Sequence, residues 1–372
     1  MKFKINRDEF SDVLFKIQGV CAQKSTLPIL ASCLIEAQED GRISVRGTDL
    51  EVSISTSCKA EVKEVGQVAI TARRLFDTVK SVSAAELVLS TEPNYWTVLD
   101  ADRVHARIAG SHPEEFPQLS AVDDDLPVSM PAEDLLDMIE KTFFSISTDE
   151  ARASFTGCFF KLTEQKTLQM VSTDGHRLSK IEIPIKDVDL EKVTDALAKG
   201  VIVPRKGLAE LKRVLIADSI VRFGVKGDDL LVANENTQVT LRLIPGRFPN
   251  FEQVIPKALE HNVTISRESI LAALKRAAFY TAKTGNTRIT LSDSTLEIYA
   301  FDPEAGELSE PIPCDYSGPG ASAGFNYKYL LDVVNVVEGD EFTFEMIDTE
   351  SPTVIRDLAR DDVLYIVMPM QI

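Results

Sequence analysis

The sequence predicts an α+β protein built from three copies of one unit, each consisting of two helices packed on antiparallel sheet. Three observations lead to this prediction. A strand followed by an amphipathic helix occurs three times, a second helix with an unusual first turn occurs three times in the same order, and alternating polar and apolar segments lie between them. With 372 residues, 44% hydrophobic and 26% charged, the chain is long enough for three domains.

The first helix of each copy follows a short strand that contains Ile5, Met130 or Ile265, so the copies start 125 and then 135 residues apart. Acidic residues occupy the first turn in all three copies, where they favour a helix start. Apolar residues then recur at helical spacing on one face. In the first copy this face is formed by Phe10, Val13, Leu14 and Ile17, and in the third by Ile270, Leu271, Leu274 and Ala278.

The second helix of each copy begins near Ala72, Pro204 or Asn326. Its first turn carries basic residues: Arg73-Arg74 in the first copy, Arg205-Lys206 in the second and Tyr327-Lys328 in the third. Cations at this end oppose the helix dipole, so their recurrence indicates a role other than helix stability. The alternative is that they are solvated charges on an exposed turn.

Antiparallel strands are predicted wherever apolar residues alternate with polar ones between turn residues. The clearest segments are 42–48, 168–173, 230–233, 238–243 and 288–291. The first two copies end alike, at Phe116-Pro117 and Phe248-Pro249. We therefore expect domains at 1–125, 126–253 and 254–372, with linkers at residues 123–125 and 257–261.

Net charge at first argues against nucleic acid as a partner, because 40 Lys and Arg against 58 Asp and Glu give −18. The charge is unevenly distributed, however. The second-helix windows 67–82, 200–215 and 322–337 carry +2, +3 and 0, which leaves −23 for the rest of the chain. This pattern predicts a basic helical face and an acidic exterior, suited to contacting phosphates without reading sequence.

The sequence predicts a cytoplasmic protein with no membrane span. Its start is charged where a secretory leader would be apolar, and no run approaches about 20 apolar residues. The five cysteines are widely spaced and include no CxxC pair, which argues against disulfides and zinc.

No enzyme motif occurs: there is no Walker loop, GxGxxG, GxSxG or HExxH. We therefore predict a non-catalytic protein without cofactor or metal. The alternative is a three-domain enzyme, or a scaffold that does not bind DNA, with a site between repeats.

Several short tracts occur in an order that identifies a family. They are Thr26-Leu27-Pro28-Ile29-Leu30, Thr48-Asp49-Leu50-Glu51, Thr173-Asp174-Gly175-His176-Arg177-Leu178, Val203-Pro204-Arg205-Lys206-Gly207, Gly246-Arg247-Phe248-Pro249, Gly324-Phe325-Asn326 and Val367-Met368-Pro369-Met370. Over its whole length the chain resembles the β subunit of bacterial DNA polymerase III, the replicative sliding clamp.

The resemblance implies a DNA clamp fold in which two chains join head to tail into a ring of six domains. Such a ring encircles duplex DNA and tethers the polymerase, which makes it a processivity factor of the polymerase III holoenzyme in DNA replication. The family's DNA-contacting positions correspond here to Lys24, Arg73, Arg205 and Lys206. For the homodimer contact we expect Phe279 and Tyr280, at the end of the third copy's first helix.

The resemblance also implies a hydrophobic groove that binds short peptides from the polymerase III catalytic subunit, the clamp loader, other polymerases and mismatch-repair proteins. The corresponding residues are Phe155, Thr173, Gly175, His176, Arg177, Leu178, Pro249, Val254, Thr353, Ile366, Met368, Pro369 and Met370. Without the resemblance, Asp174-Gly175 would indicate only a hairpin turn and the Met368-Pro369-Met370 tail only an edge strand.

Overall fold

A computed structural model of the protein describes residues 1–21, 26–119, 125–256, 261–281, 285–346 and 348–371. Lys24, most of the predicted linker at 257–261 and residues 123 and 124 of the other linker lie outside these ranges. In the part of the chain that the structure describes, no helix is long and apolar enough to cross a membrane.

The first third of the chain forms strands β1 to β10 and helices α1 and α2. Their bounds are β1 Lys2–Asn6, α1 Arg7–Gln18, β2 Ser32–Ala37, β3 Arg42–Thr48, β4 Val52–Lys59, β5 Glu61–Glu64, β6 Gly66–Thr71, α2 Ala72–Ser81, β7 Glu86–Thr91, β8 Thr97–Ala101, β9 Val104–Ile108 and β10 Gly110–Ser111. Two 3-10 helices lie at Pro28–Ala31 and Pro113–Glu115.

The central third repeats this order. Its bounds are β11 Val128–Pro131, α3 Ala132–Phe143, β12 Gly157–Leu162, β13 Thr167–Thr173, β14 Arg177–Pro184, β15 Asp187–Val188, α4 Asp195–Lys199, β16 Val201–Pro204, α5 Arg205–Val214, β17 Ile220–Lys226, β18 Asp229–Ala233 and β19 Thr237–Arg242. Short 3-10 helices lie at Ala153–Phe155 and Phe251–Val254. The five-residue helix α4 is an addition to the predicted two helices.

The last third completes the pattern. Its bounds are β20 His261–Ser266, α6 Arg267–Ala277, β21 Asn286–Ser292, β22 Thr295–Asp302, β23 Gly306–Pro313, β24 Ala321–Asn326, α7 Tyr327–Val336, β25 Glu341–Met346, β26 Thr353–Asp357 and β27 Val363–Val367. The predicted strands at 42–48, 168–173, 230–233 and 288–291 are confirmed, and β19 begins one residue earlier and ends one residue earlier than its predicted segment.

Local side chains explain why the first helices start where they do. The Asn6 side chain caps α1 by accepting hydrogen bonds from the backbone N–H groups of Asp8 at 2.9 Å and Glu9 at 3.2 Å. The predicted face of α1, from Phe10 to Ile17, is buried. In α6 the buried face is Ile270, Ala273, Leu274 and Ala277. The prediction was wrong for Leu271 and Ala278, which lie at the margin of that face and are only partly covered.

The strands form four antiparallel sheets, and two of them combine strands from successive copies. The orders are β5-β1-β7-β8-β9, then β10-β6-β2-β3-β4-β19-β18-β17-β11-β15, then β16-β12-β13-β14-β27-β26-β25-β20, and β23-β22-β21-β24. Strands β4 and β19 join the first and second copies, with Val52 opposite Leu241. Strands β14 and β27 join the second and third, with Arg177 opposite Val367.

The chain divides into two compact units. The first unit, which holds the five- and ten-stranded sheets, comprises Met1–Leu136, Ile185–Leu197 and Lys206–Leu243. The second unit, which holds the eight- and four-stranded sheets, comprises Asp137–Pro184, Ala198–Arg205 and Ile244–Ile372. Each site below lies within one of these units.

Candidate functional site

A tight turn between β13 and β14 shapes one end of an apolar groove in the second unit. The Thr173 hydroxyl donates to the Arg177 carbonyl at 2.7 Å, and Asp174 accepts from the backbone N–H groups of His176 and Arg177 at 2.9 and 3.1 Å. Gly175 has a φ of +90°, in the left-handed region that favours glycine. An added Cβ there would lie 3.0 Å from the Arg152 guanidinium.

The groove has a volume of about 130 Å³ and mostly apolar walls. It is lined by Phe155, Thr173, Gly175, Arg177, Leu178, Pro249, Asn250, Phe251, Val254, Ile366 and Met368. Its floor belongs to a buried cluster that includes Leu178, Phe251 and Ile366. A fixed apolar floor with a partly exposed methionine at the edge suits varied apolar side chains.

The structure brings nine of the thirteen predicted groove residues around this cavity. The other four lie elsewhere. His176 is exposed and its ring lies 6.2 Å from that of Tyr329, while Thr353 is fully buried in β26. Pro369 and Met370 line a neighbouring open hollow with Gly324, whose carbonyl accepts a hydrogen bond from the Met370 backbone N–H at 2.8 Å.

Sequence reasoning missed Asn250 and Phe251, which line the groove where the chain leaves Pro249. The ring centroid of Phe251 lies 5.9 Å from that of Phe159, and Phe159 stacks on Phe248 at 5.3 Å. The similarity between the tracts 116–119 and 248–251 was the signal that could have included both residues.

Arg177 forms the polar wall of the groove and is held by several partners. Its guanidinium donates to Asp174 at 3.0 Å, to the Phe144 carbonyl at 2.6 Å and to Asp332, and it lies 4.5 Å from the Tyr329 ring centroid. Because these contacts hold it on several sides, Arg177 presents a fixed surface to a ligand.

Two of the predicted DNA-contacting cations lie in the first unit around one hollow, lined also by Gln18 and Asp49. Arg73 is exposed and donates to Asp77 at 3.0 Å and to Gln18 at 2.8 Å. Lys206 pairs with Asp49 and lies 3.4 Å from Glu51. Burial opposes the charged form of Lys206, but hydrogen bonding and attraction to Asp49 prevail and raise its pKa.

Arg205 belongs to the second unit and is bound differently. Its guanidinium lies 4.4 Å from the Phe143 ring centroid and donates to the Ile146 carbonyl at 2.9 Å. Burial, together with the nearby charge of Arg177, lowers the pKa of Arg205. The cation therefore contributes to packing as well as to local charge. Lys24 lies outside the described residues.

The residues predicted for the dimer contact differ in exposure. Phe279 is 75% exposed and Tyr280 is partly covered. Among the residues that the structure describes, no group of three or more His, Cys, Asp or Glu side chains could hold a metal ion.

Family models match the chain in three consecutive segments. They are those of the DNA polymerase III beta subunit: the N-terminal domain matches residues 1–120, the central domain 129–250 and the C-terminal domain 252–371.

Relatives and solved structures match from end to end. The beta sliding clamps of Escherichia coli K12 and Pseudomonas putida are each 30% identical to the chain, with 100% of both chains covered. The DNA polymerase III subunit beta of Pseudomonas aeruginosa has a TM-score of 0.93 at 28% identity, again covering 100% of both chains. A sliding clamp from the same species, solved bound to griselimycin, has a TM-score of 0.91 at 29% identity and the same coverage. With its groove, its repeated helices and these matches, the chain belongs to the DNA polymerase III beta subunit family, the bacterial beta sliding clamps.

Proposed function

We propose that this chain is a processivity clamp: two copies associate head to tail into a six-domain ring that surrounds duplex DNA and tethers the replicative polymerase. The observation that carries the proposal is the match to all three beta-subunit domains in order, over residues 1–120, 129–250 and 252–371. On this proposal the domains run 1–125, 126–253 and 254–372. A head-to-tail contact that closes after two subunits gives a ring rather than a filament.

The proposed DNA contact is electrostatic and independent of sequence. Arg73 is exposed and Lys206 lies beside the same hollow, while Arg205 adds a partly covered cation in the second unit. Lys24 remains a prediction from the resemblance. Because the chain carries −18 in total, cations confined to one face would attract a duplex there while the exterior repels it.

The proposed docking site for partners is the apolar groove of the second unit. Its cavity of about 130 Å³ is lined by Leu178, Ile366 and Met368, and it suits one or two apolar side chains of an extended peptide. The proposed peptides come from the polymerase III catalytic subunit, the clamp loader, other polymerases and mismatch-repair proteins. Competition for one small groove would let these partners exchange on the ring.

The proposed dimer contact includes Phe279 and Tyr280. Two open strand edges also support it, because within the described ranges β9 pairs only with β8 and β23 only with β22. Strand pairing between β9 of one chain and β23 of its partner would cover both edges, which are otherwise prone to non-specific association.

We further propose that the chain itself catalyses no reaction and acts in the cytoplasm, with polymerase and ATPase activities belonging to its partners.

Retention of the protein on circular DNA tests whether it forms a ring around the duplex. After loading by a clamp loader with ATP onto a nicked circular plasmid, the protein should co-elute with the plasmid through a sizing column. Cutting the plasmid once should release it, since a ring can slide off an end. Equal retention on circular and linear DNA would refute topological linkage, and nucleotide or DNA turnover by the pure chain would favour the enzyme alternative.

A further inference from the structure

The first unit contains a second groove built on the same backbone scaffold as the apolar groove. This polar groove, with a volume of about 170 Å³, is lined by Thr48, Leu50, Glu51, Ser53, Pro117, Gln118, Leu119, Asp229, Thr240 and Arg242. Nothing in the proposed function uses it. The turn and the strand pairing that frame it correspond to those of the apolar groove.

The two turns are the same motif. The Thr48 hydroxyl donates to the Val52 carbonyl at 3.0 Å, as Thr173 does to Arg177. The side chain of Asp49 accepts from the backbone N–H groups of Glu51 at 3.0 Å and Val52 at 2.8 Å, as Asp174 does from the two residues that follow Gly175. The residue at the tip has a positive φ in both turns, +77° at Leu50 and +90° at Gly175.

The strand pairing beside the two turns is also equivalent. Ser53 lies opposite Thr240 in the first unit, as Leu178 lies opposite Ile366 in the second. The segment Pro117-Gln118-Leu119 lines the polar groove as Pro249-Asn250-Phe251 lines the apolar one. The backbone frame is therefore retained, while the side chains that form the walls differ in chemistry.

Those side chains change the ligand that fits. Ser53 and Thr240 of the polar groove occupy the positions of Leu178 and Ile366 in the apolar groove. Arg242 occupies the position of Met368, because each of them follows the next paired residue of its strand. An apolar peptide bound in the polar groove would exclude water from the hydroxyl and charged groups of the groove without replacing their hydrogen bonds. Binding of such a peptide is therefore disfavoured.

The charges of the polar groove favour a cationic ligand. Arg242 is held by Asp229 at 3.1 Å and by Asp228 at 3.7 Å, while Glu51 and Asp49 pair with Lys206. Of the charged residues that line the groove, Glu51 and Asp229 are acidic and Arg242 is basic, so the lining carries −1. A Lys or Arg side chain entering the groove would share Asp229 with Arg242 and Glu51 with Lys206, and its charge would balance that of the lining.

Leu50 adds an exposed apolar side chain to the polar groove. A leucine at a φ of +77° is strained, and its side chain is 54% exposed, so burial of the side chain does not offset the strain. Its apolar surface lies at the groove edge, where it can cover part of a ligand.

We propose that the polar groove is a second peptide-binding site, which takes an extended segment of a partner protein presenting a Lys or Arg side chain to Asp229 and Glu51 and an apolar or small residue to Leu50. The site shares no lining residue with the apolar groove. One chain could then hold two segments of different chemistry.

Affinity selection from hexapeptide libraries, read by mass spectrometry, tests the proposal with the full-length protein. One position is fixed as Lys, Arg, Glu or Leu and the others are randomised over Ala, Ser, Pro and Leu. We expect the Lys and Arg libraries to be retained about fivefold above the Glu library. Asp229→Asn should lower Lys-library retention about fivefold. The matched control is Asp228→Asn, which removes the same charge beside the groove but not from its lining, and it should change retention by less than about twofold.

Three outcomes would overturn the proposal: equal retention of the Lys and Glu libraries, equal reduction in Asp229→Asn and Asp228→Asn, or loss of the Lys library in Met368→Ala, which would assign these peptides to the apolar groove. Leu50→Gly provides a second variant that does not depend on charge. It should raise the thermal unfolding midpoint by relieving the positive φ and still lower Lys-library retention. Unchanged retention in Leu50→Gly would also contradict the proposed site.

Discussion

Arg205 and Arg73 were assigned the same role from the sequence, and the structure predicts that their removal has different consequences. Arg205 packs on the Phe143 ring at 4.4 Å and donates to the Ile146 carbonyl at 2.9 Å. Arg73 is exposed and bound to Asp77 and Gln18 at the surface. The perturbation is replacement of each arginine by alanine, with Arg205→Lys as a variant that keeps the charge.

The loss of stability expected for Arg205→Ala follows from two interactions of the guanidinium. A partly covered cation–π contact contributes about 1 kcal/mol and a charged hydrogen bond at least about 1 kcal/mol. We therefore expect Arg205→Ala to lower the free energy of unfolding by about 2 kcal/mol. For a folding unit of this size, that shifts the thermal midpoint by about 4–8 °C. Arg205→Lys should lower the free energy of unfolding by about half as much, because lysine lacks the planar group that stacks on Phe143. The exposed ion pair of Arg73 should contribute less than about 0.5 kcal/mol.

Urea unfolding followed by circular dichroism measures the stability difference, and fluorescence anisotropy with a duplex oligonucleotide measures DNA binding at several salt concentrations. Arg73→Ala should reduce the slope of log affinity against log salt by about 0.9, the value expected for a single phosphate neutralised by one cation, with stability unchanged. Equal stability of Arg205→Ala and Arg73→Ala would refute the packing role. A normal salt slope in Arg73→Ala would refute its interaction with a phosphate.

Four further outcomes are expected. Deleting residues 370–372 should weaken peptide binding to the apolar groove, because it removes the hydrogen bond from Met370 to Gly324 that anchors the chain beyond Met368, and the dimer should persist in analytical ultracentrifugation. Dissociation on the deletion would instead make the tail structural. Phe279→Ser should weaken the dimer and spare peptide binding. Gly175→Ala should cost about 1–2 kcal/mol in urea unfolding and weaken peptide binding, because its φ of +90° strains any residue with a Cβ. Hydrogen bonds from Arg360 lower the pKa of Asp362, so the stability from this pair is present above about pH 4 and is lost as the pH falls through the depressed pKa. Arg360→Ala should therefore make the free energy of unfolding less dependent on pH below about pH 4, and an unchanged acid profile would contradict this.

Much of the fold could be predicted because its signals are local. The alternation in Arg42–Thr48 matches β3 from end to end, and the apolar spacing from Phe10 to Ile17 marks the buried face of α1. The turn at Asp174-Gly175 could also be predicted, since these residue types specify it. The same local reasoning was wrong for Leu271 and Ala278, because packing of α6 selected a neighbouring stripe.

By itself the sequence determined the repeat, the order of elements and the residue types available to each site. Only the tertiary structure decided which of them meet. Pairing of β4 with β19 joins residues such as Thr56 and Thr237, 181 positions apart, and so assembles the polar groove. The structure likewise brings Phe251 into the apolar groove and Asp49 onto Lys206. The physical reason is that such contacts depend on the packing of whole sheets, whereas a short window of sequence encodes only local backbone preference and the periodicity of burial.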